Sequence, residues 1–169
     1  MPRKQREEWI FLLYLLFTKI GAEFMENKYF GIGIEHGKTK FNYWSLFRTA
    51  QILGANFLFV IGARFKRHPA DTCGSFKNIP VFSYKDFADF NKHRPFDCRL
   101  IGVEMTNDAI EISKYEHPDR AIYLLGAEDH GLTKKALERC QEVVKLKGEK
   151  SLNVAVAGSI IVYDRISKK

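Results

Sequence analysis

Two short stretches in the last third of the chain combine residue types that hold small ligands and polar substrates. The first, Leu124-Leu125-Gly126-Ala127-Glu128-Asp129-His130-Gly131-Leu132, continues the apolar run Ala121 to Leu125. Glycines on either side of a carboxylate let a chain bend sharply at a strand end and present backbone groups to a ligand. The second, Ser151-Leu152-Asn153-Val154-Ala155-Val156-Ala157-Gly158, opens an apolar segment that ends at Ile166. Ser151 and Asn153 put a hydroxyl and an amide at the start of a helix, where they can cap it or face a substrate. Far upstream, Asn42 and Arg48 lie six positions apart, followed by Thr49, Ala50 and, after a short apolar run, Gly54-Ala55.

Either late stretch alone is weakly specific. Together, in this order and with the Asn42/Arg48 pair before them, they resemble the three motifs of the SpoU/TrmH family of SPOUT RNA methyltransferases, over roughly residues 29 to 167. The family has a glycine two positions after the asparagine. This chain has Trp44 there, a bulky ring expected to alter the floor of the substrate pocket. The resemblance implies an α/β fold with a mostly parallel sheet flanked by helices and a C-terminal deep trefoil knot. Chain physics would not suggest the knot, because knots are very rare among folds. It also implies a homodimer formed in part through the last helix, and an enzyme that uses S-adenosylmethionine to methylate a ribose 2′-hydroxyl of tRNA or rRNA.

The same resemblance assigns candidate roles. Arg48 is the residue nearest the departing proton. A guanidinium stays charged up to a pKa above about 12, so either it clamps the phosphate beside the ribose with its planar fork or it acts as a base once desolvated. Asn42 orients Arg48 or the ribose, or caps the helix that begins near it. Glu128 accepts hydrogen bonds from Arg48 or the substrate, and Ser151 and Asn153 hold the ribose site. Three loops correspond to the family's cofactor site: Val103, Glu104 and Met105; Gly126, Ala127 and Gly131; and Leu146 to Leu152. Backbone groups of such loops read an adenine edge while apolar side chains sandwich its ring. A catalytically inactive RNA-binding protein of the same fold is the alternative.

The whole chain agrees with this class. At 169 residues it is one domain with a substantial core. A content of 46% apolar and 28% charged residues is globular rather than disordered. A net charge of +7 favours a polyanionic partner without naming it. The loop Arg64-Phe65-Lys66-Arg67-His68, with Lys77 beyond it, is the candidate RNA contact, since cations neutralise phosphates and Phe65 can stack on an unpaired base. Without a separate RNA-binding domain, a compact target such as a tRNA stem-loop is expected. Cys73, Cys98 and Cys140 are odd in number and form no CxxC pair. No metal site is therefore expected, and reduced thiols point to the cytoplasm.

The first two dozen residues stand apart. Trp9 to Phe17 is an apolar run behind Arg3-Lys4-Gln5-Arg6, too short to span a bilayer, with Glu7 and Glu8 ill placed for a signal peptide. An interfacial anchor or a partner-binding helix is one reading. The expectation preferred is an extension over residues 1–24 ahead of a methyltransferase domain over 25–169, with Met25 as the natural start.

Apolar periodicity predicts strands at Phe30 to Ile34, Phe57 to Ile61, Arg99 to Glu104, Ala121 to Leu125 and Glu142 to Leu146. Helices are expected at Asn42 to Leu53, Thr133 to Cys140 and Leu152 to Ile166, with a loop over Gly62 to Pro80. A capping box starting at Ser83 is expected to lead a short helix through Phe90. Gly31-x-Gly33 lacks a third glycine and a following helix start, so it reads as a strand feature and not a dinucleotide fingerprint. The last helix is apolar almost all round, which requires burial on several sides.

Overall fold

The structure, a computed structural model, describes residues 29–63 and 77–168. The candidate contacts Arg64, Lys66 and Arg67, with Phe65, His68 and Cys73, lie outside the described residues, as does the segment ahead of Tyr29. Seven strands form one sheet in the order β3-β2-β1-β6-β4-β7-β5, and every pairing is parallel. The strands are β1 (Phe30–Glu35), β2 (Phe57–Ile61), β3 (Val81–Tyr84), β4 (Arg99–Val103), β5 (Ile110–Glu111), β6 (Ala121–Leu125) and β7 (Glu142–Lys145). The helices are α1 (Lys40–Ile52), α2 (Phe87–His93), α3 (Lys134–Leu137) and α4 (Val154–Ser167).

Strand side chains alternate between two cores, as the twofold repeat of a strand requires. Phe30, Ile32 and Ile34 of β1, with Leu58, Val60, Tyr123 and Leu125, pack beneath α1 and α4. Phe57, Phe59 and Ile61, with Leu100, Ile122 and Leu124, pack against Phe87 and Phe90 of α2 and Ala136 of α3. The central strands are buried on both faces, which is why they read as continuous apolar runs rather than alternating ones. Gly31 and Gly33 are indeed strand features. A Cβ at either position would overlap the ring of Phe57 or Phe59, which lies across β1.

Several local expectations need correction. Ser83 does not cap a helix: it belongs to β3, an edge strand beside β2 that lies in the aromatic stretch preceding the helix. The cap is Asp86, whose carboxylate accepts from the Asp89 N–H at 2.9 Å. Both residues fit the S/T/D/N cap preference, so sequence alone could not choose between them. Thr133 caps α3, which is a single turn and not a helix to Cys140. α1 starts at Lys40, with Thr39 in the cap position but making no side-chain cap, so Asn42 is inside the helix and does not cap it. β5, two residues long, gave no periodic signal.

The register sets up the site. Ile34 pairs with Leu125, Leu125 with Val103, and Val103 with Val144. The carboxyl ends of β1, β6, β4 and β7 are therefore level, and Glu35, Gly126, Glu104 and Lys145 form the next row. The chain runs outward from β1 to β3, then returns to build the other half of the sheet. A reversal of this kind leaves a crevice at the carboxyl ends of the strands.

Candidate active site

A cavity of about 310 Å3 opens at that edge. Its wall comprises Val103, Glu104 and Met105 after β4, Leu125 to Gly131 after β6, and Lys145 to Lys147 and Lys150 to Leu152 after β7, closed by Val154 and Ala157 of α4. The three loops expected to hold the cofactor thus converge on one space. All eight residues assigned to that role line it: Val103, Glu104, Met105, Gly126, Ala127, Gly131, Leu146 and Leu152. Glu128 and Ser151 line it as well. Apolar side chains of Val103, Leu125, Leu146 and Val154 beside exposed backbone groups suit a flat heteroaromatic ring with a polar edge.

Two carboxylates clamp the turn after β6. Glu104 Oε2 accepts from the Leu132 N–H at 2.9 Å, and its other oxygen accepts from Met105 N–H at 3.0 Å. Glu35, 1% exposed, accepts from the Thr133 N–H and hydroxyl, both at 2.9 Å. Consecutive amides are thus held from the strands on either side of β6. Within the turn, Ala127 and Gly131 exchange backbone hydrogen bonds of 3.1 and 3.0 Å. Gly131 has φ +67, and a Cβ there would strike the Glu104 carboxylate. A Cβ at Gly126 would strike the backbone of Gly131 and Leu132. Both glycines are therefore steric requirements of the turn.

A hydrogen-bonded chain runs along the edge of the cavity. Asn153 caps α4, its Oδ1 accepting from Ala155 N–H at 2.9 Å and Val156 N–H at 3.4 Å. The Asn153 NH2 must then point away from the helix, and it donates to Asn42 Oδ1 at 3.1 Å. Asn42 is left with its NH2, which donates to Glu128 Oε1 at 2.6 Å. The helix amides thus fix both amide orientations in sequence. Burial alone would raise the Glu128 carboxyl, but bonds from Asn42 and from the backbone at Glu128, Lys38 and Thr39 hold it below the usual range. Glu128 is ionised at neutral pH.

Of the partners the resemblance offered, Arg48 meets neither Asn42 nor Glu128 among the described residues of one chain. Glu128 accepts from Asn42 and from Lys38 N–H at 3.2 Å, not from Arg48. Asn42 orients Glu128 rather than Arg48. Arg48 is exposed on α1, is not among the cavity-lining residues, and has no hydrogen-bond or ion-pair partner among the described residues. Ser151 faces the cavity, its hydroxyl 3.6 Å from the Met105 sulfur. Trp44 is buried in α1 and does not line the cavity. Lys77 is exposed at the start of the chain leading to β3. Among the described residues no cluster of His, Cys, Asp and Glu could hold a metal, and no helix is long and apolar enough to cross a membrane.

Reading by sequence missed Glu35, Asp129, Lys38 and the lysines of the cavity wall. Lys38 and Asp129 pair at 2.5 Å and tie the β1–α1 turn to the β6–α3 turn. A carboxylate at a strand end, such as Glu35, carries no local sign that its partner lies 98 residues away.

Comparison with known proteins agrees with this architecture. An AdoMet-bound rRNA methyltransferase from Sinorhizobium meliloti superposes with a TM-score of 0.74 at 17% identity, covering 83% of this chain and 56% of that one. The SpoU methyltransferase AviRb from Streptomyces viridochromogenes gives 0.73 at 22%, covering 85% and 62%. The A. aeolicus TrmH/SpoU tRNA modifying enzyme gives 0.74 at 16%, covering 90% and 84%. In sequence, the Mus musculus tRNA (guanosine(18)-2'-O)-methyltransferase TARBP1 is 29% identical over 68 residues, which is 38% of this chain and 4% of that protein. The chain thus spans a small part of that curated relative and little more than half of the first two structural ones. The model of the SpoU rRNA Methylase family matches residues 31–163, most of the chain and all three motifs, and the protein belongs to that family.

Proposed function

We propose that this protein transfers a methyl group from S-adenosylmethionine to a ribose 2′-hydroxyl of tRNA or rRNA. The observation that carries the reading is the meeting of the three-loop cavity with the Asn153–Asn42–Glu128 chain at its edge. The cavity is at the lower end of the range for small-molecule sites and combines apolar side chains and backbone groups with charged side chains, which fits an adenosine carrying a polar tail. Val103 to Met105, Gly126 to Gly131 and Leu146 to Leu152 would hold it. Bound there, S-adenosylmethionine supplies an electrophilic methyl group on sulfur.

The task left to the protein is to hold a hydroxyl oxygen in line with that methyl and to accept its proton. Glu128, kept ionised by its amide partners, orients polar groups at the mouth, and Ser151 offers a hydroxyl to the ribose. Arg48 binds the neighbouring phosphate through its planar fork. The reading without turnover is less favoured, since Asn42, Glu128 and Asn153 are joined in one ordered chain rather than left as scattered remnants.

The protein acts as a homodimer in this proposal. α4 exposes Val156, Ile160, Tyr163 and Ile166, at 49, 39, 63 and 40%. Val156, Ile160 and Tyr163 lie on one stripe. That stripe has no partner among the described residues of a single chain, and a second copy would cover it. The trefoil knot of the C-terminal segment also belongs to the proposal, on the strength of family membership.

Single-turnover transfer of labelled methyl to total tRNA or rRNA tests the activity. Wild type is expected to label RNA, and Arg48→Ala to transfer about a thousandfold more slowly with cofactor affinity unchanged. A folded wild type that binds no S-adenosylmethionine by calorimetry would overturn the proposal.

A further inference from the structure

The loop after β7 carries cations that cofactor binding does not use. Its backbone from Leu146 to Leu152 has the cofactor to hold, while the side chains of Lys147 and Lys150 are left over. Both lysines are exposed and line the cavity, whereas Gly148 and Glu149 between them do not line it. The bend thus brings two like charges to one wall and leaves the intervening acid outside. Neither lysine forms an ion pair among the described residues. Lys145, on the same wall, donates to the Thr106 and Asn107 carbonyls at 3.1 and 3.2 Å, which satisfies its protons without neutralising its charge.

The carboxylates across the cavity are already engaged. Glu104 accepts from the Met105 and Leu132 N–H groups, Glu128 accepts from Asn42, and Asp129 pairs with Lys38 and His130. Among the described residues, the β7 side is therefore a positive wall without a counter-charge. S-adenosylmethionine does not supply one: its carboxylate is offset by its own ammonium, and its sulfonium adds a further positive charge. The anion must come with the other substrate, and RNA brings phosphates. A lysine ammonium suits them as a compact point charge on a flexible stem. Lys150 also adjoins Ser151, which faces the cavity and offers its hydroxyl to the ribose. That neighbourhood selects the phosphodiester beside the reacting nucleotide.

We propose that Lys147 and Lys150 clamp a phosphate of the substrate RNA over the cofactor cavity, so that RNA and the sulfonium strengthen each other's binding. This rests on the RNA methyltransferase reading and adds RNA contacts to it. When the methyl passes to the ribose oxygen, the carbon–sulfur bonding pair stays on sulfur and the hydroxyl proton leaves to water. Sulfur becomes neutral, its attraction for the clamped phosphate is lost, and the methylated RNA is held less tightly than the substrate was.

The test uses the full chain and two readouts. Anisotropy of labelled total tRNA, and of rRNA in parallel, is followed over a range of salt. Calorimetry with and without RNA compares S-adenosylhomocysteine, whose sulfur is neutral, with sinefungin, whose ammonium stands in for the sulfonium and which transfers nothing. In wild type, RNA should raise sinefungin affinity about fivefold more than S-adenosylhomocysteine affinity, by the reciprocity of coupled sites. Lys147→Ala combined with Lys150→Ala should lower the salt slope by about 1.5, the share of two phosphate contacts. It should also abolish the fivefold difference and leave S-adenosylhomocysteine affinity without RNA unchanged. Arginine at both positions should restore slope and coupling, and Lys92→Ala, on α2 and away from the cavity, should keep the wild-type coupling. Wild-type slope and coupling in the double alanine variant, with cofactor and RNA both bound, would overturn the clamp and leave the enzymatic reading standing. So would a lowered slope with the coupling intact, which would make the lysines ordinary surface contacts. A loss of S-adenosylhomocysteine affinity without RNA would also overturn it, by placing the lysines in the cofactor pocket alone. A folded wild type that binds neither cofactor nor RNA would overturn both readings.

Discussion

The two ends of α4 carry polar networks of opposite character. At its start, Asn153 passes the helix amides on to Asn42 and Glu128, and the chain opens on a cavity. At its end, Arg165 is 1% exposed and donates to Pro118 O at 2.7 Å, Asp119 O at 2.8 Å and the Tyr123 hydroxyl at 3.1 Å. Its guanidinium also lies 4.8 Å from the Phe30 ring centre. His117, its side chain wholly buried, bridges Tyr123 and Asp164, and Lys168 reaches Asp164 at 2.8 Å and the Tyr115 carbonyl at 3.2 Å. The second network closes on itself and fastens the helix to the segment between β5 and β6. The first ends in a carboxylate that can still meet a ligand. Polar groups satisfied by one another hold a fold, whereas chemistry needs a network with one end left open.

The comparison breaks hardest at Arg165. Arg165→Leu takes the donor from two carbonyls, leaves the Tyr123 hydroxyl with His117 alone, and should cost about 3 to 4 kcal/mol in urea unfolding. Methyl transfer per folded molecule should be unchanged. Activity falling further than the folded fraction would show that the closed network also shapes the site.

Asn153→Ala probes the open end. Loss of the cap should cost about 1 kcal/mol of stability. Methyl transfer at saturating cofactor should fall more than tenfold, because Asn42 and then Glu128 lose the partner that orients them. Equal losses of stability and rate in this variant would reduce the chain to a helix cap. Glu104→Gln falls between: the glutamine amide has one acceptor oxygen and cannot accept from both Met105 and Leu132, so cofactor affinity should drop about tenfold, a single lost hydrogen bond to a charged group, with little change in the rate at saturation.

The smallest effect is on pH dependence. Burial holds His117 below its ordinary 6.5 despite the Asp164 carboxylate, with Arg165 and Lys168 acting in the same direction as burial. Its folded-state pKa is depressed, so the unfolded chain takes up this proton first as the pH drops. Stability contributed by neutral His117 is present above about 6.5 and is lost as the pH falls below it. The Asp164 carboxyl is raised by burial and lowered more by Lys168 and His117, so its contribution persists to lower pH. Thermal midpoints between pH 8 and 5 should decline in wild type and more gently in His117→Asn. Parallel curves would place the proton elsewhere.

The sequence determined the buried central strands and the functional motifs, because both are local, while the short strands β3 and β5 escaped it. β2 and β6 are unbroken apolar runs, each with a polar residue before it and a glycine after it, as suits a strand buried on both faces. The glycines at 126 and 131 and the cap at Asn153 are legible for the same reason: each answers a steric or hydrogen-bonding need within a few residues. Tertiary structure decided what depends on register across the sheet. Level strand ends bring Glu35 and Glu104 to either side of Gly126, and no spacing along the chain records that meeting. It also decided that Glu128 serves Asn42 rather than Arg48, that Asp86 rather than Ser83 caps its helix, and that one face of α4 is a core while another is open to solvent. A helix apolar on every side looks the same in sequence whether one chain buries it or two.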